Sequence, residues 1–306
     1  MKFTLRQIEV FLATCHHENI SKAASELAMS QSAASAALKE LESQFDLQLF
    51  DRVGKRLHLN DTGRNIQAKA EALIDSSKEL ERELAQHGRN QDSAITGELK
   101  VGATLTIGNY LAVGLADEFL KDHPCTRVSL EVANTSDIIN QLEHFKLDVG
   151  FIEGEYHHPE LDIQPWMEDK LSVFCSPTHP YAKKKQLNDE DLIACSWILR
   201  EPGSGTRQTF NRAMSGLNTK LNIVLELQHT EAIKNAVLSG MGISCLSEIT
   251  IQEDIERGQL IALPVPHRSL KRFFYQVLHK HKYIGLNLKR WLKMCNARKD
   301  LSAHTS

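Results

Sequence analysis

Residues 21–45 read SKAASELAMSQSAASAALKELESQF, and two short helices separated by a tight break are written into them. Ser21 stands where an N-cap belongs, and Ala23, Ala24, Leu27 and Ala28 then fall on one small-residue face. Small residues let a partner helix approach closely. After Met29, Ser30 is placed to cap a second helix. Its Ala34, Ala37, Leu38 and Leu41 face one way, while Gln31, Ser32, Ser35 and Lys39 face the other. That outward stripe is short, uncharged at its N-terminal end and rich in hydrogen-bonding groups, which suits base edges in a major groove. On an isolated helix a solvated face explains it better; the close spacing of two small-residue helices turns the balance toward the groove.

The flanking residues extend the pattern. Upstream, Leu5, Ile8, Phe11, Leu12 and Cys15 share a helical face. Downstream, residues 49–61, LFDRVGKRLHLND, alternate like a hairpin with its turn near Gly54, and Arg52, Lys55 and Arg56 cluster there. A basic hairpin directly after a recognition helix is a wing placed to meet phosphates. The stretch from LRQIEVFLAT through LHLNDTG strongly resembles the winged helix-turn-helix of LysR-type transcriptional regulators, in its AA-x-x-L helix, its QSA-x-S helix and its LF-x-R wing. The resemblance implies that Gln31, Ser32 and Ser35 approach bases and that Ser21, Lys39, Arg52 and Arg56 lie near the backbone of double-stranded promoter DNA, with Lys55 beside them in the wing.

With 306 residues the chain has room for two or three domains, and its 42% hydrophobic and 25% charged composition is that of an ordinary globular protein. No apolar run is long enough to span a bilayer, and Arg6 and Glu9 interrupt any signal-like core at the N-terminus, so a cytoplasmic location with no membrane partner is expected. Six scattered cysteines without CxxC or metal-ligand spacing read as small, mostly buried thiols, with a redox pair as the unsupported alternative. No metal and no cofactor is expected. The formal net charge of −3 requires any DNA-binding charge to be local.

From Thr62 toward Arg89 a long helix is expected, capped by Asp61 or Thr62. Ile66, Ala70, Leu73, Ser77, Leu80 and Leu84 recur on it at alternating spacings of four and three, as an a/d seam does. Pairing with a second copy is the simple way to bury the seam, and two-fold pairing fits a near-palindromic DNA site. Packing on the chain's own C-terminal domain is the alternative. In the LysR family this helix dimerises, and the dimers usually pair again into tetramers.

Beyond residue 97 short strands and helices alternate, then repeat after Asp162, which implies two α/β lobes with mainly parallel sheets and a cleft between them. This part resembles the LysR effector domain, itself similar to type II periplasmic binding proteins, so the fold class is α/β with an N-terminal winged helix-turn-helix and a long connecting helix. The expected division is 1–60 for DNA binding, 61–89 for the dimerisation helix and 90–96 for a hinge linker. Residues 97–161 with 268–306 make effector subdomain I and 162–267 subdomain II, with crossings near 161–164 and 265–268. GFIEG, WILREPGSGTR and EAIKNAVLSGMGISCLS look most like the YeiE branch of the family.

Several expected helix starts carry hydroxyls toward the cleft: Thr104 and Thr106, then Asn134, Thr135 and Ser136, then Ser204, Gly205 and Thr206, and finally Thr230. Free N–H groups there favour an anion, and Arg200 adds a charge-assisted donor. Each hydroxyl is also an ordinary cap. Glu153 would repel an anion; pairing with Arg200, or selection of a ligand carrying an amine or a proton, accounts for it. With no aromatic residues around these loops, the expected effector is a small anion, either a sulfite- or sulfate-like oxyanion or a short carboxylate. The rival classes are an enzyme or a cytoplasmic small-anion receptor on the same two-lobed fold. GSG in residues 203–205 completes no GxGxxG, P-loop or G-x-S-x-G motif, and His229 has no evident nucleophile, so no catalytic residue is assigned. RNA polymerase is a further possible partner of a regulator.

Overall fold

The computed structural model describes residues 2–54, 56–87 and 97–303; Lys55 of the wing and the expected linker 90–96 lie outside the described residues. In the N-terminal module, helix α1 (Leu5–His17) begins at a capping box between Thr4 and Gln7. Helix α2 (Ile20–Glu26) is capped by Asn19, whose side chain accepts from the Ser21 and Lys22 amides, so Ser21 is not the cap. Ala28 falls outside the helix, in the left-handed turn before α3, and is exposed rather than part of the small-residue face. Ser30 caps helix α3 (Gln31–Gln44), whose Ala34, Leu38 and Leu41 join Ile8, Phe11, Ala24 and Leu49 in one apolar core. Strands β1 (Phe50–Val53) and β2 (Arg56–Leu59) pair antiparallel around Gly54, which takes the positive φ of 63° that a tight hairpin turn needs.

Helix α4 (Asp61–His87) starts one residue earlier than expected, because Asn60 rather than Asp61 or Thr62 caps it by accepting from the Gly63 amide. Its buried Ala70 and Ile74 close the core of the module, with Ile66 packed alongside.

The C-terminal part is built on one nine-stranded sheet among the described residues, in the order β4-β3-β5-β11-β6-β9-β7-β8, with β10 on β6. Strand β3 (Gly97–Thr104) leads through helix α5 (Leu105–Ile107), a π-helical turn (Gly108–Ala112) and helix α6 (Val113–Asp122) to β4 (Thr126–Ala133). Helix α7 (Thr135–Glu143) precedes β5 (Val149–Glu153). Both β4 and β5 run parallel to β3. Strand β6 (Leu161–Cys175), helix α8 (Asp189–Ala194), strand β7 (Ser196–Arg200) and helix α9 (Gly205–Ala213) follow. The second lobe is completed by β8 (Asn222–Leu227), α10 (Thr230–Leu238), β9 (Ile243–Ser247), α11 (Glu248–Glu256) and β10 (Ile261–Leu263). Here β8 and β9 run parallel to β7. Strand β11 (Lys271–His279) and helix α12 (Leu286–Ala303) return to the first lobe, where Trp166, Phe274 and Trp291 fill its core with Phe119 and Phe151.

The lobes are joined by the antiparallel strands β6 and β11. Residues 161–170 of β6 pair with β11, and from Leu171 the strand pairs with β9 instead. The first crossing therefore falls at Lys170–Leu171, later than 161–164, and the return occurs at Leu270–Lys271, later than 265–268, where the Leu171 amide donates to the Leu270 carbonyl at 2.9 Å. Trp166 has no partner in the β6–β11 register, which shifts between Phe274 and Tyr275, and the bulge sends its side chain into the core.

Candidate functional site

On the outer side of the N-terminal module, Gln31, Ser32, Ser35 and Lys39 of α3 are all exposed, as are Ser21 on α2 and Arg52 and Arg56 on the wing. The stripe faces outward because its neighbours Ala34, Leu38 and Leu41 are held in the core. Of the residues expected to form a seam on α4, Ile66 and Ala70 pack into the module itself, whereas Leu73, Leu80 and Leu84 are exposed.

Between the lobes lies an open cleft of about 400 Å³. Thr135 and Ser136 line it from the start of α7, and Gly203, Ser204 and Gly205 from the start of α9, with Glu153 at its floor. The local reasons are plain. Asn134 caps α7 by accepting from the Asp137 amide at 2.9 Å, leaving the Thr135 hydroxyl buried with no bonded partner. Ser204 caps α9 through the Arg207 amide. Gly205 is required at its position, since a Cβ there would overlap the Glu153 carbonyl and push the lobes apart. Thr230, at the start of α10, is buried with an unbonded hydroxyl but does not line this cleft.

Thr104, Thr106 and Thr206 serve Glu153 rather than open space. The Thr104 hydroxyl (3.1 Å) and the Thr106 amide (2.9 Å) donate to Glu153 Oε1, and the Thr206 hydroxyl (2.8 Å) donates to Oε2. Arg200 does not pair with Glu153; its guanidinium bonds Glu201 through Nε at 2.8 Å and Nη2 at 2.9 Å. The salt-bridge partner of Glu153 is Arg272 on β11, whose Nη1 lies 2.9 Å from Glu153 Oε2 and 3.0 Å from the Thr206 hydroxyl. Arg272 Nε also donates to Asp169 Oδ2 on β6 at 2.6 Å, and the Ser247 hydroxyl donates to Asp169 Oδ1 at 2.7 Å.

One guanidinium thus serves two buried carboxylates, which move in opposite directions. Burial alone would raise Glu153, but Arg272, Arg200 and the Thr106 and Thr206 donors overcome it and hold the carboxyl at about 2. Asp169 has fewer compensating donors, and burial leaves it above its ordinary value. Sequence reasoning missed Arg272, Asp169 and Ser247. It also missed the aromatic rim: Tyr156 lines the cleft, and the Tyr110 hydroxyl donates across the lobes to Glu231 at 2.9 Å.

Among the described residues, no group of three or more His, Cys, Asp or Glu side chains is arranged to hold a metal, and no helix is long and apolar enough to cross a membrane. Cys15, Cys175, Cys195, Cys245 and Cys295 are buried thiols, all raised above their ordinary value by burial.

Residues 5–64 match the family model for the bacterial regulatory helix-turn-helix protein, lysR family, and residues 92–300 match the LysR substrate binding domain. Over 296 residues the chain is 39% identical to the HTH-type transcriptional regulator YeiE of Escherichia coli (strain K12), covering 97% of this chain and 98% of that protein. A full-length OxyR variant of Pseudomonas aeruginosa shares the fold, with a TM-score of 0.72 at 22% identity over 98% of this chain and 96% of that one. The CcmR regulatory domain of Synechocystis PCC6803, solved in complex with 2-PG, has a TM-score of 0.62 at 28% identity, over 66% of this chain and 97% of that one.

Proposed function

The chain belongs to the LysR family of transcriptional regulators, and from that premise we propose that it senses a small anion between its two lobes and alters promoter binding in response. The effector is a sulfite- or sulfate-like oxyanion or a short carboxylate. The observation that carries this reading is the meeting of two helix N-termini, α7 and α9, from opposite lobes on one cleft, beside the buried unbonded hydroxyl of Thr135. Glu153 does not oppose it, because Arg272 and three donors already satisfy that carboxylate. Closure of the cleft around the anion shifts the balance between two lobe geometries, which changes how the subunits of a cytoplasmic homodimer, or of a dimer of dimers, present their wings to DNA. RNA polymerase is the partner through which such a change would reach transcription.

Isothermal titration of the full chain against sulfite, sulfate, acetate and a set of aromatic and cationic compounds tests the effector class. One or more of the anions is expected to bind; Thr135→Val is expected to weaken it by about tenfold, the equivalent of one lost hydrogen bond, and Gly205→Ala to weaken it by forcing the lobes apart at Glu153. Binding of aromatic or cationic compounds alone, or anion binding untouched by both substitutions, would overturn the reading. Gel retardation on the gene's own upstream region at low salt tests the DNA half separately.

A further inference from the structure

The turn between β11 and α12 is tied to helix α4 by bonds that neither the DNA-facing stripe nor the cleft requires. The side chain of Lys282 in that turn is only 6% exposed, and its ammonium lies 2.9 Å from Asp75 Oδ2 on α4 and 2.9 Å from Asp148 Oδ1 just ahead of β5. Asp148 is itself fixed by the Lys100 amide at 2.7 Å. Burial would lower Lys282, but the two carboxylates hold it above its ordinary value. One turn further along α4, Glu79 accepts from the Tyr283 hydroxyl and, at 3.0 Å, from the Leu286 amide. An ammonium on a side chain only 6% exposed, shared by one carboxylate from each side, resists separation, because parting them leaves that charge short of a partner where water reaches it poorly. The helix of the DNA-binding half and the return strand of the effector half are thus latched together.

The other end of the same strand begins at the cleft. Arg272, its second residue, bonds Glu153 of the first lobe and Thr206 of the second, so its position depends on both lobes. Between Arg272 and the turn, β11 is paired on both sides, with β5 and β6. The bulge in this stretch puts its extra residue, Trp166, on β6, while β11 pairs with β6 from Lys271 to His279 and with β5 from Phe274 to Val277, so the two ends of β11 are linked by one continuously paired strand.

We propose that β11 is the element that carries lobe closure to the DNA-binding half, with Arg272 as its input and the Lys282–Asp75 and Tyr283–Glu79 contacts as its output. This rests on the reading of the cleft as the effector site, yet the relay is measurable without any effector. A double-mutant cycle on the full chain reads it through affinity for promoter DNA. Thr206→Val perturbs the input by removing the hydroxyl bonded to Arg272 and Glu153, and Asp75→Asn with Tyr283→Phe cuts the output. With the latch intact, Thr206→Val is expected to shift the dissociation constant by about fivefold or more, the lower end of ordinary allosteric coupling. With the latch cut, the shift is expected to fall within about twofold, the range of additive behaviour. An equal shift in both backgrounds, or none in either, overturns the relay. Circular dichroism checks each fold, and Arg272→Lys replaces Thr206→Val if that variant is unfolded. Titration of the unmodified chain with sulfite, sulfate and acetate separates the two claims: failure of all three to bind sinks the cleft reading, while the cycle still decides the relay.

Discussion

Glu153 reads in the sequence as an obstacle, a carboxylate in the path of an anion, and its meaning turns on a partner 119 residues away, Arg272. Nothing local announces that pair. RFFYQVLHK is recognisable as a strand, but whether its arginine points to solvent or to the hinge depends on the register with β6 and β5, which only the folded sheet fixes. Arg200 was the nearer candidate by position, and it is captured by its neighbour Glu201 instead. Removing one partner of such a buried pair costs about 3–5 kcal/mol, so urea unfolding at pH 7 should show Glu153→Gln destabilised by that order. The pH dependence has a definite sign. The folded carboxyl sits at about 2, below its unfolded value of about 4.3, so its stabilising effect is complete above the unfolded value and is lost as pH falls toward 2. The deficit of Glu153→Gln should accordingly shrink between pH 4 and pH 2. A deficit that stays constant over that range would contradict the charge-pairing account.

At the level of elements the periodic patterns translate well and the boundaries less so. The three helices and the hairpin of the N-terminal module form from the residues whose spacing suggests them, because their small apolar faces meet in one core. The caps are where the reading slips: Asn19 and Ser21, or Asn60, Asp61 and Thr62, are all competent caps, and the choice among them is made by where the incoming chain directs the side chain. Asn19→Ala should therefore cost about 1 kcal/mol in thermal or urea unfolding, whereas Ser21→Ala should lie within about 0.5 kcal/mol of the parent, as exposed substitutions do. On the exposed stripe, Gln31→Ala should relax base preference, while Arg52→Ala should weaken all sequences alike and lower the salt slope by about one unit. Helix α4 divides its apolar residues between two tasks, since Ile66 and Ala70 close the module and Leu73, Leu80 and Leu84 are left exposed. If those leucines form the dimer seam, Leu80→Glu should shift the sedimentation of the chain toward the monomer. Strand β10, helix α11 and the first half of β6 were not legible, the last because Pro165 and the bulged Trp166 break its alternation.

For the whole molecule, the two-lobed plan was readable from the repeated alternation of strand and helix, but contacts between the DNA-binding and effector halves were not, since they join segments far apart in the chain. One consequence of that junction concerns acid. A groove of about 720 Å³ separates the halves, with His58 and Arg64 on one wall and His144, Phe145, Glu160, His279 and His281 on the other. His279 is buried against the Phe145 ring, 4.1 Å between centroids, with the His281 ring 5.8 Å away. Burial first, then the nearby His281, His158 and Lys282, hold it down to about 4, with Glu160 pulling the other way. A histidine whose folded value lies below its unfolded value of about 6.5 takes up its proton more readily in the unfolded chain. Stability is therefore lost as pH falls from 6.5 toward 4. Replacing the ring by an untitratable apolar side chain removes this loss while keeping the contact with Phe145. The melting temperature of His279→Leu relative to the parent should therefore rise steadily as pH is lowered from 7 to 5, whatever the sign of the difference at pH 7. A difference independent of pH would show that the ring titrates as a solvated histidine does and that the groove does not exclude its charge.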